Sequence, residues 1–72
     1  MHTFKVVIVE PTRPGGQISA QIHRSDGRIV RHSMWPDAAE IDCALLNEYV
    51  KNNWTAEKYH AERKARFAAL NK

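Results

Sequence analysis

Seventy-two residues allow one domain, spanning 1–72, with a small core. A chain that is 43% hydrophobic and 26% charged is globular in composition, one cysteine excludes an internal disulfide, and no apolar run reaches the length of a membrane span. The net charge of +3 is unevenly spread: residues 1–34 carry five Lys/Arg against two acids, 35–53 one against four, and 54–72 five against two. A basic chain with an acidic middle can neutralise itself, so its total charge is a weak guide to its partner. The N-terminal stretch lacks signal-peptide architecture, and the lone Cys43 fits a reducing compartment, so a cytoplasmic location is expected.

Residues 3–10 read as strand β1. Phe4, Val6 and Ile8 share one face, and Lys5, Val7 and Val9 the other; apolar residues on both suggest a central strand or one partly covered on each side. Pro11 ends it, and Pro14-Gly15-Gly16 supplies turn chemistry short enough to bring the chain back antiparallel. Strands β2 (17–24) and β3 (28–34) then form a hairpin at Asp26-Gly27, a pair suited to the positive φ that tight hairpin turns need.

The hairpin has two registers. A two-residue turn groups Ile18, Ala20, Ile22, Ile29, Ser33 and Trp35 on one face, with Arg24 and Arg31 among them. A three-residue turn with Gly27 as a bulge groups Ile18, Ala20, Ile22, Val30, His32 and Met34. A slip of one residue flips a strand, so the choice decides which side chains face the core. The second is preferred because it buries no arginine, leaving Ser19, Gln21, His23, Ile29, Arg31 and Ser33 outward and Arg24 and Arg28 near the tip.

Helix α1 (36–51) opens at Trp35-Pro36-Asp37, with proline at a favoured first position and Asp37…Glu40 at capping-box spacing. It has two apolar lobes, Ala38/Ile41/Leu45/Tyr49 and Ala39/Cys43/Leu46/Val50, and so packs on two things: the sheet, and either the next helix or another chain. Asn52-Asn53 breaks the pattern. Helix α2 (55–70) follows, with Thr55 as N-cap and Trp54 and Tyr59 spaced as a hydrophobic staple. Asp42 lies in the apolar arc of α1 and Arg63 in that of α2. If the helices fold back antiparallel, each is the other's partner, since buried charge requires pairing. The expected fold is thus α+β, a three-stranded antiparallel sheet packed against two antiparallel helices in the order β-β-β-α-α.

No motif for catalysis emerges. Cys43 has no diagnostic histidine motif, His23 and His32 fall on opposite faces of the preferred hairpin, and Gly15-Gly16 is followed by neither GK[ST] nor a helix. No enzyme activity, cofactor, metal or small-molecule substrate is expected. The hairpin is the leading binding surface: Arg24, Arg28, Arg31 and His23, with Gln21 and Arg13, suit phosphate and base-edge contacts or an acidic protein surface. Trp35, Trp54 and Tyr59 are the candidate anchors for a protein partner.

The β-β-β-α order, the Asp26-Gly27 turn and the helix opening PDAAE resemble, from Gly16 to about Val50, three-stranded-sheet DNA-binding modules of the integrase-arm type. The resemblance implies a sheet face that reads DNA and a helix that backs it, although the family's tryptophan and arginine pattern on the sheet is not clearly reproduced. The expectation is a small non-enzymatic binding protein, acting as a nucleic-acid accessory or regulator. The alternative is an inhibitor or adaptor of the phage or mobile-element type that occludes a partner protein. A homodimer through α1 and α2 would supplement the small core.

Overall fold

The computed structural model describes residues 2–70. Its elements are β1 Phe4–Val9, β2 Ser19–Arg24, β3 Ile29–Met34, α1 Pro36–Lys51 and α2 Ala56–Leu70. The strands form one antiparallel sheet in the order β1-β2-β3, followed by the two helices, which is the expected α+β arrangement. Valines on both faces of β1 do not make it central. It is an edge strand, and β2 holds the middle.

Both lobes of α1 are occupied within the chain. Ala39, Cys43 and Leu46 face the sheet, where they meet Ala20, Ile22, Phe4, Val6, Val30 and Met34. The other lobe meets α2, with Tyr49 and Tyr59 edge to face at 5.4 Å between ring centroids. Among the described residues only α1 packs broadly on the sheet, and no helix covers the opposite face.

The helix ends follow local chemistry, with one correction. Trp35 occupies the α1 N-cap and provides no side-chain hydrogen bond, so the Asp37…Glu40 spacing is not a capping box; Pro36 opens the helix and Asp37 sits in its first turn. At the other end Asn53 takes φ 53°, and Trp54 N–H donates to Tyr49 O at 3.0 Å while Asn53 N–H donates to Val50 O at 3.4 Å. That is a Schellman closure with asparagine in the left-handed position. Thr55 caps α2 by accepting from Lys58 N–H at 3.2 Å.

The hairpin satisfies neither register throughout. Near the turn Arg24 N–H donates to Arg28 O at 2.8 Å, Gly27 takes φ 92°, and His23 pairs with Ile29, as in the three-residue turn. The pairing then shifts twice, to Ile22–Arg31 and Ala20–Met34. At the first shift Val30 and Arg31 together oppose Ile22, and at the second β3 spends an extra residue around Ser33, whose φ is 51°. Each bulge adds a residue to β3 and re-aims the side chains beside it. Val30 and Met34 therefore face the core as expected, but His32 is exposed and Arg31 turns toward the helices.

Candidate functional site

The expected basic face of the hairpin is largely neutralised by its own neighbours. Arg24 grips Asp26 with two hydrogen bonds, Nε to Oδ1 at 3.0 Å and Nη2 to Oδ2 at 2.6 Å. Asp26 Oδ1 also accepts from Arg28 N–H at 3.2 Å, an Asx arrangement that stiffens the turn. The Arg24 hydrogen bonds and then the Arg28 N–H hold the Asp26 carboxyl well below the usual carboxylate range. His23 Nε2 lies 2.8 Å from Gln21 Oε1, so these two outward residues satisfy each other. Arg13 and Arg28 are exposed, and among the described residues neither side chain has an ion-pair partner.

Arg31 is the main correction. Expected on the outward binding face, it reaches inward because the bulge opposite Ile22 points it at the seam between the two helices. Its Nε donates to Asp42 Oδ2 at 3.0 Å, its Nη2 to the Tyr59 hydroxyl at 3.2 Å and its Nη1 to its neighbour Val30's carbonyl at 2.9 Å. Tyr59 is likewise no surface anchor: it is buried, and its hydroxyl donates to Asp42 Oδ1 at 2.6 Å. Arg63 completes the group, with Nε 3.4 Å from the same Oδ1 and its guanidinium 4.6 Å from the Phe67 ring. Asp42 and Arg63 thus meet, with Arg31 as the shorter of the two ion-pair contacts to Asp42.

Asp42 is fully buried, so both its oxygens depend on these donors. Burial works against the Arg31 charge, but the Tyr59 hydrogen bond and Asp42 outweigh it and raise its pKa above the ordinary value. Burial, then the Asp42 hydrogen bond and charge, push the Tyr59 phenol up. Burial, then Asp42, push the Cys43 thiol up as well, which disfavours a nucleophilic thiolate. One carboxylate therefore ties β3, α1 and α2 together. Sequence spacing pointed to Asp42 and Arg63; Arg31 depended on bulges that periodicity does not reveal.

Of the aromatic anchors, Trp54 is half-buried with Lys58 Nζ 5.5 Å from its ring centre. Trp35 is 63% exposed. It stands with Pro36, Asp37 and Ala38 on one wall of a groove whose other wall is Phe67 and Leu70 from the end of α2. On its other side lies a second depression shared with Ile18 and Met34. Trp35, Ile18 and Leu70 are all large apolar side chains left open at this end of the molecule.

The basic residues of α2 are partly paired within the chain, although Lys64 is exposed and, among the described residues, in no ion pair. Lys58 pairs with Glu62 at 3.2 Å, and Arg66 Nη2 stands 2.8 Å from Glu48 Oε2, close enough for an ion pair but without hydrogen-bond alignment. Among the described residues no cluster of three metal-ligating side chains occurs, and no helix is long and apolar enough to cross a membrane. No family model matches the chain, and no curated protein or solved structure matches it.

Proposed function

We propose that this chain is a protein-binding module whose contact surface is the Trp35 end of the molecule, where the groove between the start of α1 and the end of α2 opens. The observation that carries this reading is Trp35 itself. An N-cap normally holds Ser, Thr, Asp or Asn, and forgoing that cap costs a helix about 1 kcal/mol. Here a tryptophan takes the position, makes no capping bond and leaves most of its indole in solvent. Rigid aromatic side chains of this kind supply much of the binding energy in protein interfaces, and Phe67, Leu70 and Ile18 extend the apolar ground beside it. Binding that occludes a partner needs no catalytic group.

The test is retention of native partners from a source lysate by the immobilised chain and by Trp35→Ala and Arg28→Ala variants. The expected result is specific retention that Trp35→Ala abolishes and Arg28→Ala leaves intact. A retained set unchanged by Trp35→Ala would reject the reading.

The uncovered sheet face favours a second reading, nucleic-acid binding. Lys5, Gln21 and His23 lie on that face, with Arg28 at its end. Retention of duplex or single-stranded nucleic acid at low salt, with a salt dependence reduced by Arg28→Ala and Arg13→Ala, would replace the first reading with this one. The pairing of Arg24 with Asp26 and the inward turn of Arg31 remove two of the three hairpin arginines that reading was built on.

A further inference from the structure

The two edges of the sheet are finished differently. β3 is shifted twice in register and bends at Ser33, which breaks the straight row of amides another strand would need. β1 pairs with β2 over six residues with no shift, contains no proline and bears its one charge, Lys5, near its start. The direction of its amides follows from the ladder. Ser25 N–H donates to Thr3 O at 2.8 Å, so the odd-numbered residues bond β2 and the even-numbered ones turn N–H and C=O to the free side.

At Phe4 that outward pair is already taken. The Asn47 side chain accepts from Phe4 N–H at 2.8 Å and donates to Phe4 O at 3.1 Å, occupying the place of a neighbouring strand. Among the described residues no hydrogen bond reaches the outward amides of Val6 and Ile8. The course of α1 adds to this. It starts next to the end of β3 and reaches the β1 edge at Asn47, so it crosses the sheet diagonally. The far end of β1 is left bare on the helix side, where Ile8 is 50% exposed.

We propose that the β1 edge is a self-association surface, on which two copies pair β1 with β1 antiparallel to make one six-stranded sheet. Only registers that oppose even-numbered to even-numbered residues close the free bonds. The register centred on Val7 sets Val6 against Ile8 of the other copy, twice, and closes four backbone hydrogen bonds. Val7 meets Val7, Lys5 meets Val9, and no like charges face each other. Glu10 of each copy falls opposite Phe4 of the other, beneath the end of that copy's α1, where Lys51 lies one helical turn beyond Asn47. Glu10 and Lys51 are both exposed, and among the described residues neither is in an ion pair.

The occupant is a second copy because this chain itself supplies the complement. Its Lys51 answers its Glu10 across the two-fold axis, and the end of α1 in each copy covers Ile8 of the other. Parallel pairing would instead set Lys5 beside Lys5. An edge of this length with two helix ends buries an area near the low end for stable complexes, about 1,200 Å² in all. This interface uses neither the Trp35 groove nor the lobes of α1 already taken by the sheet and α2.

Sedimentation velocity from low micromolar to near-millimolar concentration tests it. The expected result is a monomer that becomes a dimer as concentration rises. Ile8→Pro removes an outward N–H and leaves the bonds to β2, so it should keep the native circular dichroism and stay monomeric throughout. Glu10→Lys and Lys51→Glu each weaken the dimer by about tenfold, since the pair occurs twice, and the two together restore it. A wild-type chain monomeric over the whole range would overturn the proposal. So would a dimer untouched by Ile8→Pro, or charge reversals whose combination does not recover association.

Discussion

Two aspartates in this chain are each held by arginine, sixteen positions apart, and they serve opposite ends. Asp26 sits in an exposed turn, where Arg24 and the Arg28 amide satisfy it in full view of solvent. Asp42 has no exposed surface and collects Arg31, Arg63 and Tyr59 at the meeting of three elements. In water, solvent replaces a lost ion-pair partner at little cost; in the interior nothing does. The same pair of residue types therefore trims surface charge in one place and fastens the fold in the other. Breaking each in turn should separate the two roles.

The largest effect is expected from Asp42→Ala. It strands Arg31 and the Tyr59 hydroxyl at the seam, and the folded state should lose about 3 kcal/mol after allowing for the partial exposure of both arginines. With only six buried hydrophobic residues among those described, that loss is a large part of the stability of so small a domain. Urea unfolding followed by tryptophan fluorescence measures it. A variant within 1 kcal/mol of the wild type, on the order of an exposed pair, would mean that solvent reaches Asp42.

Tyr59→Phe comes next. It keeps the ring against Tyr49 and deletes the 2.6 Å hydrogen bond to Asp42, for a cost of about 2 kcal/mol at neutral pH. This variant also carries a pH signature. The folded state raises the Tyr59 pKa above its ordinary 10.0, so the stability it contributes is fully present below pH 10.0 and is lost as pH rises through the folded value. The gap between wild type and Tyr59→Phe should therefore narrow above pH 10.0. A constant gap up the alkaline limb would show that the phenol ionises alike in both states.

Arg31→Ala and Arg63→Ala should differ although both remove one cation from Asp42. Arg31 makes the shorter contact and also serves Tyr59 and the Val30 carbonyl, so its loss should cost about 1.5 kcal/mol. Arg63 lies farther off, and its removal should cost under about 1 kcal/mol. Equal losses in parallel urea titrations would contradict the geometry.

This order was only partly legible in the sequence. Helix α1 lies where its opening proline and closing asparagines indicate, and the strand ends fall within two residues of those that alternation predicts. Asp42 and Arg63 were legible too, because a charge inside an apolar stripe is an anomaly that requires a partner. Arg31 was not. Its side depends on where β3 gains its extra residues, and β3 contains no glycine of the kind that signals a bulge inside a strand pattern. A preference for burying no arginine pointed the wrong way, since the carboxylate that makes partial burial tolerable lies eleven positions later. Trp35 was legible as a candidate by type alone; only its empty cap and its open groove separate it from Tyr59, which packs inside.

The smallest effect is expected from Arg24→Ala, and it is the change that best isolates the exposed half of the comparison. Asp26 would keep the Arg28 amide, and its second oxygen would turn to water, so the unfolding midpoint should stay close to that of the wild type. The change should appear in acid titration instead. Hydrogen bonding to Arg24 is the chief reason the Asp26 carboxyl titrates so low, so in Arg24→Ala it should move back up toward the ordinary carboxylate range, an upward shift that NMR of its side-chain carbons would follow. A depressed folded pKa contributes stability above the unfolded value and loses it as pH falls through the folded one, so whatever small difference separates this variant from the wild type should be present at neutral pH and vanish in strong acid. An Arg24→Ala variant as damaged at neutral pH as Asp42→Ala would mean that the hairpin tip, and not the Asp42 seam, holds the sheet in register.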